Sequence, residues 1–235
     1  MNGLPIAADD VLPQQSAMRY APSSIPMWSE PVRQMPTVAK QNVRTKSPEK
    51  RRNDIMNAAE SLLVEQGVAA TTVDQITAGA NVAKGTFYLY FASKDELLGA
   101  LGDRFGRKLL DGIQAAVAKQ PEDDLHARLS AWAKACALGY LDSIRVHDAL
   151  FWDQWPRTRE GLVDNIVIDD LHRMLSEGKK VGAWSIVDTR AAAVFLFTGI
   201  HSVVDNAYLK QKRVNRAQLA RTVEDLLLRC AGARR

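Results

Sequence analysis

TTVDQITAGANVAKGTFYLYFASKDELL, residues 71–98, is the stretch that decides how this chain folds. Thr72 followed three positions later by Gln75 is a capping box, in which side chains satisfy the unpaired N–H groups that open a helix. Val73, Ile76 and Ala80 then recur at helical spacing. Asn81 falls in a turn, where its short polar side chain tolerates a left-handed backbone. A third helix follows over 83–90, and Ser93 with Glu96 caps a fourth that runs through Leu97, Leu98, Leu101, Phe105 and Leu109. Two short helices joined by so tight a turn form a helix-turn-helix. From Gln75 to Lys94 there is no carboxylate, although 25% of the chain is charged.

That composition suits a polyanion. In a helix-turn-helix the second helix lies across the major groove while the first braces it on the backbone. Val73, Ile76, Val82 and Phe87 supply the apolar joint, and Phe87 and Phe91 read as core. Ala83, Gly85 and Thr86 are small, so the backbone at the leading end of the reading helix can approach base edges. Lys84 can reach a guanine edge or a phosphate, and the Thr86 methyl can meet a thymine methyl. Tyr88 and Tyr90 carry hydroxyls for phosphates, which fix register rather than sequence. Thr72 offers a hydroxyl and backbone N–H to another phosphate, and Lys94 does so from the start of the fourth helix. Taken singly, Tyr88 also reads as a packed aromatic with a wet hydroxyl and Lys94 as an ordinary surface lysine.

Outward from this stretch, seven of the nine prolines fall within the first 48 residues, and residues 1–46 read as a flexible arm. Its basic end, with Arg44 and Lys46 leading to Lys50, Arg51 and Arg52, suits a DNA backbone or minor groove. Order starts at Ser47-Pro48, a serine N-cap before a proline at the first helical position. Ile55, Ala58, Ala59, Leu62 and Leu63 keep helical spacing until Gly67. The expected organisation is a DNA-binding domain over 47–93 and a helical domain over 94–235, with helices near 123–142, 147–155, 157–177, 188–209 and 215–230. Pro156, Gly178, Gly182 and Asn215 mark the breaks, and no alternating run argues for a strand, so the fold class is all-α.

The second domain carries two features of its own. Ala192, Val194, Phe195, Leu196, Phe197, Ile200, Val203 and Val204 surround nearly the whole circumference of one helix, which must be covered on more than one side. A partner chain or a central position in a monomeric core would each do this. Leu219, Val223, Leu226 and Leu227 add a seam on the last helix. Trp132, Phe151, Trp152 and Trp155, with Asp148 and Asp153 nearby, suit a flat or cationic organic molecule, or else simply a core.

Other classes find little support. The four histidines (126, 147, 172 and 201) make no metal-binding pattern, and there is neither a glycine-rich phosphate loop nor a nucleophile elbow, so no enzyme, metal or cofactor is expected. Two cysteines far apart do not make a disulfide framework. The opening residues lack the pattern of an export signal, and the apolar stretch 191–204 is too short to cross a bilayer; a cytoplasmic, membrane-free protein is expected.

Thr71-Thr72-Val73-x-x-Ile76, then Ala80-Asn81-Val82-Ala83-Lys84-Gly85-Thr86-Phe87-Tyr88-x-Tyr90-Phe91, then Ser93-Lys94-x-Glu96-Leu97-Leu98 resembles the DNA-binding region of the tetracycline-repressor (TetR) family. The resemblance covers roughly residues 50–98 and departs from the family at Thr77, usually alanine, and Asn81, usually glycine. It implies a homodimer that represses from a palindromic double-stranded DNA operator, with a C-terminal domain receiving a small-molecule effector and its last two helices forming the dimer interface. On this reading an effector in the C-terminal domain favours a state in which the fourth helix swings and changes the spacing of the two reading heads.

Overall fold

The computed structural model describes residues 47–151, 165–210 and 213–232; Arg44, Lys46, Trp152 and Trp155 lie outside them. Among the described residues the regular structure is eight helices: α1 Pro48–Ala70, α2 Val73–Gly79, α3 Lys84–Tyr88, α4 Lys94–Val117, α5 Leu125–Phe151, α6 Ile166–Lys180, α7 Thr189–Lys210 and α8 Arg216–Cys230. The all-α expectation holds, and these residues belong to one compact unit.

Local chemistry sets most boundaries. The Ser47 hydroxyl accepts the Lys50 N–H at 3.3 Å, as the serine-proline start requires. Gly67, at φ +78°, takes the left-handed backbone that breaks the helical run of α1. Asn165 opens α6 by accepting the N–H groups of Val167 and Ile168 at 3.0 and 3.1 Å, and Asn215 opens α8 by accepting that of Gln218 at 3.1 Å.

Two expectations are corrected. The separate helices over 123–142 and 147–155 are one continuous helix as far as Phe151. No glycine or proline interrupts 140–151, and Tyr140, Ile144 and Leu150 keep their burial across the supposed gap. Nor does Gly178 break a helix: it lies inside α6, buried against the Trp184 indole, which would collide with any Cβ placed there. The Trp184 Nε1–H donates to the Leu175 carbonyl at 2.8 Å, so the tryptophan seals the end of α6.

The apolar side chains divide into two cores. One gathers Ile55, Met56, Ala59 and Leu63 of α1, Ile76 of α2 and Phe87 of α3 with Phe91, and also Leu97, Leu98 and Leu101 of α4 and Leu150 of α5. The other is built around Trp132, Tyr140, Ile168, Leu175, Ile200 and Val223 from α5 to α8. Packing therefore does not divide at residue 93: α4 and α5 run through both cores, and Phe105 touches each.

Helix α7 is 22 residues long and, by length and composition alone, long and apolar enough to cross a membrane, which corrects the estimate made from 191–204. Ala193, Leu196, Phe197, Ile200 and Val204 sink one face of it into the second core, while Phe195 and Leu209 stay 69% and 76% exposed.

Candidate nucleic-acid interface

The joint between α2 and α3 forms as its residues dictate. The Thr72 hydroxyl accepts the Gln75 N–H at 3.3 Å, and the Gln75 side chain accepts the Thr72 N–H at 2.8 Å and its hydroxyl proton at 3.0 Å. The capping box thus engages the hydroxyl and the N–H that the sequence reading offers to a phosphate, and it fixes the start of α2. Asn81 turns the chain at φ +53°, the one non-glycine residue with positive φ among the described residues. The Val82 N–H then donates to the Thr77 carbonyl at 3.0 Å. Thr77 is buried and its hydroxyl donates to the Asp74 carbonyl at 3.0 Å, so the extra polar atom is satisfied inside α2.

Helix α3 is five residues long, with Ala83 as its N-cap and Leu89 as its C-cap. Phe87 is wholly buried and anchors it, edge-on to Tyr88 at 5.3 Å and 5.7 Å from Phe91. The opposite side is bare. Ala83, Lys84, Gly85 and Tyr88 are exposed, with Thr86 and Tyr90 half-buried beside them. A Cβ built on Gly85 meets nothing within 4 Å, and its φ is not positive, so the fold does not demand glycine there.

The lysines are less free than the sequence suggests. Lys84 Nζ lies 2.8 Å from the Asp74 carboxylate, which by hydrogen bond and charge raises the Lys84 pKa above its ordinary value. Lys94 is turned inward: its ammonium donates to the carbonyls of Val68 and Thr71 at 2.8 and 2.9 Å. Those carbonyls close the loop between α1 and α2, so Lys94 fastens α4 to the head with two of its three N–H donors. Arg104, further along α4, donates to Asn57 and Glu60 of α1 at 2.8 Å each. Arg52 lies over the Phe91 ring, 5.0 Å from its centroid.

Sequence reasoning missed Leu89, which is 80% exposed at the end of α3 between the two tyrosines. The signal was present, since Leu89 breaks the periodicity that buries Phe87 and Phe91. It also missed the acid at Asp74, which stands one residue outside the acid-free stretch.

The two described members of the aromatic set read for a ligand, Trp132 and Phe151, do not converge. Trp132 is fully buried, its Nε1–H donating to Asp170 at 2.9 Å. The same carboxylate accepts from Gln114 at 3.1 Å and from Arg173, so this tryptophan is a core anchor. Phe151 lies on the same helix about 28 Å away, at 1.5 Å per residue, packed beside Phe105 at 6.0 Å. A polar cluster appears instead between α5 and α7. The Tyr140 hydroxyl donates to Asp205 at 2.7 Å, and its ring lies 4.8 Å from His147 and 4.1 Å from His201. The His201 Nδ1–H donates to the Phe197 carbonyl at 2.9 Å, which places the proton of the neutral ring on Nδ1. Burial lowers the His201 pKa to about 4 and lowers that of His147 too, against the pull of Asp148.

The comparisons with known proteins agree with this geometry. The family model for bacterial regulatory proteins of the tetR family matches residues 55–101. The HTH-type transcriptional repressor Rv3405c of Mycobacterium tuberculosis (strain ATCC 25618 / H37Rv) is 33% identical over 92 residues, 39% of this chain and 47% of that protein. The HTH-type transcriptional regulator HbdR of Aromatoleum sp. (strain CIB) is 46% identical over 50 residues, 21% of this chain and 22% of the regulator. The chain thus spans about half the length, or less, of these curated relatives. Among solved structures, a tetR-family transcription regulator from Shewanella sp. PV-4 superposes with a TM-score of 0.64 at 19% identity, over 78% of this chain and 99% of that one. RolR, solved with resorcinol, gives 0.59 at 23% identity, over 80% and 90%; at such identities the likeness is one of fold. The helix-turn-helix held between α1 and α4 lies within residues 55–101, which match the tetR family of bacterial regulatory proteins.

Proposed function

We propose that the protein is a ligand-responsive transcriptional repressor that binds a palindromic double-stranded DNA operator as a homodimer in the cytoplasm. The observation that carries this reading is the bare tip of α3: a helix without carboxylates, whose exposed Gly85 has open space where a Cβ would stand. A duplex groove is what such a tip fits, and Tyr88, Thr86, Tyr90 and Lys84 flank it with hydroxyls and one cation. The dimer reading draws on α7 and α8, which leave Phe195, Leu209 and Leu226 exposed, and on the resemblance to the tetR family, which implies pairing through the last two helices. The effector reading draws on the Tyr140, His147, His201 and Asp205 cluster, and on RolR, a protein of this fold solved with a small aromatic ligand. An effector that prefers the non-DNA-binding state would shift the population away from the operator.

Selecting duplexes from a random pool with the purified full chain tests the proposal. A palindrome with half-sites about one helical turn apart is expected. Gly85→Ala sharpens the test, because alanine in an exposed helix with open space stabilises by about 0.5–1 kcal/mol yet intrudes on a groove. Thermal stability should hold or rise while affinity for the selected duplex falls at least ten-fold. Undiminished affinity would refute the placement of α3, and a selected set without dyad symmetry would favour a monomeric or DNA-organising role.

A further inference from the structure

The tip of the head has two lysines at the ends of α3 and α4, and they are held differently. Lys94 is bound by carbonyl groups, which carry no net charge and are not exchanged for a phosphate without opening the loop between α1 and α2. Lys84 is held by a full opposite charge, at 2.8 Å, with both partners well exposed. Its partner is rigidly presented: Asp74 sits in the first turn of α2, a helix whose start is locked by the Thr72–Gln75 capping box. The acid is also poorly placed for a protein that meets DNA, since it stands beside the reading helix at the edge of a stretch from Gln75 to Lys94 that is otherwise free of carboxylates.

This arrangement has a consequence for discrimination. Against phosphates alone, the Lys84–Asp74 pair is a neutral unit. Moving the lysine onto a backbone phosphate would leave an exposed carboxylate facing a polyanion, so a duplex of arbitrary sequence gains little from it. A guanine edge presents two acceptors, O6 and N7, in the groove where α3 lies, and can draw the ammonium away at that one position. Sequence-independent binding follows the number of phosphates neutralised, so a lysine kept occupied elsewhere is subtracted from it. We propose that Asp74 is a specificity-determining residue: by holding Lys84 off the phosphates, it lowers affinity for arbitrary DNA more than affinity for the operator. The inference rests on the DNA-binding reading above.

The test uses the full chain as wild type, Asp74→Asn, Asp74→Glu, Lys84→Met and the double variant Asp74→Asn with Lys84→Met. Two probes are titrated across a salt series: a scrambled 30-base-pair duplex and the duplex selected by the wild-type protein. Asp74→Asn should bind the scrambled duplex about ten-fold more tightly at low salt, with log K against log salt steeper by about 0.9 for each head engaged. Its affinity for the selected duplex should change less than three-fold, so that the ratio of the two affinities narrows. Asp74→Glu, which keeps the charge, should restore the wild-type ratio, and in the Lys84→Met background the asparagine substitution should have no further effect. An unchanged ratio and slope in Asp74→Asn would overturn the inference, as would an equal gain in the Lys84→Met background, which would mark a diffuse charge effect. A wild-type protein that ignores both duplexes in dilute salt would instead overturn the functional reading itself.

Discussion

Lys94→Met separates two roles for one lysine. Methionine keeps most of the unbranched stem and removes the ammonium, so the packing changes little and the hydrogen bonds to Val68 and Thr71 are lost. A hydrogen bond to a charged group contributes about 1.5–3 kcal/mol. Two such bonds at a half-buried site, with water able to reach part of the vacated position, come to about 2–4 kcal/mol. In a chain of this size each kcal/mol moves the melting temperature by about 2–4 °C, so the middle of that range lowers it by about 6–12 °C. Melting the full-length protein by circular dichroism reads this directly, and a salt titration on duplex DNA reads the alternative. The clamp predicts a lower melting temperature with an unaltered salt dependence per bound head. An unchanged melting temperature with a salt slope flatter by about 0.9 per contact would refute it and return Lys94 to the phosphates.

Other outcomes follow from burial and exposure. His201 is kept neutral by burial, its pKa near 4 in the fold against about 6.5 in the unfolded chain. The unfolded chain therefore takes up a proton first as pH falls, and stability present above about pH 6.5 is lost progressively down to about pH 4, by up to about 3 kcal/mol. Denaturant midpoints at pH 7.5 and 4.5 check this: His201→Leu should shrink the difference, and a decline parallel to wild type would count against it. Phe195→Asp places a charge on a side chain that is 69% exposed in one chain. It should leave the melting of a single chain intact yet halve the mass seen by sedimentation, and an unaffected dimer would move the interface elsewhere.

The head was legible because its determinants are local. Capping boxes, a left-handed asparagine and three-to-four-residue apolar spacing act within a few positions, and the start of α4 and the turn at Asn81 fall where those signals put them. The partners of the lysines were not legible. Lys94 reaches carbonyls more than twenty residues back along the chain, and Lys84 meets an acid across the turn, contacts that exist only once α1, α2 and α4 pack. Gly178 misled for a similar reason: locally it is a helix breaker, while in the fold it makes room for Trp184. Trp132 was open to either a ligand-contacting or a core role, because aromatic composition does not reveal that Asp170 waits inside to receive its N–H.

The sharing of α4 and α5 between the two cores bears on how this protein can be dissected. Cutting after residue 93 would strip Leu97, Leu98, Leu101 and Leu150 from around Phe87 and Phe91, leaving the fragment with a wet, half-walled interior. A minimal autonomous piece has to retain the first half of α4 together with the end of α5, two segments separated in the chain by some forty residues. Grafting this reading head onto another scaffold therefore calls for a split transplant, not a clean excision.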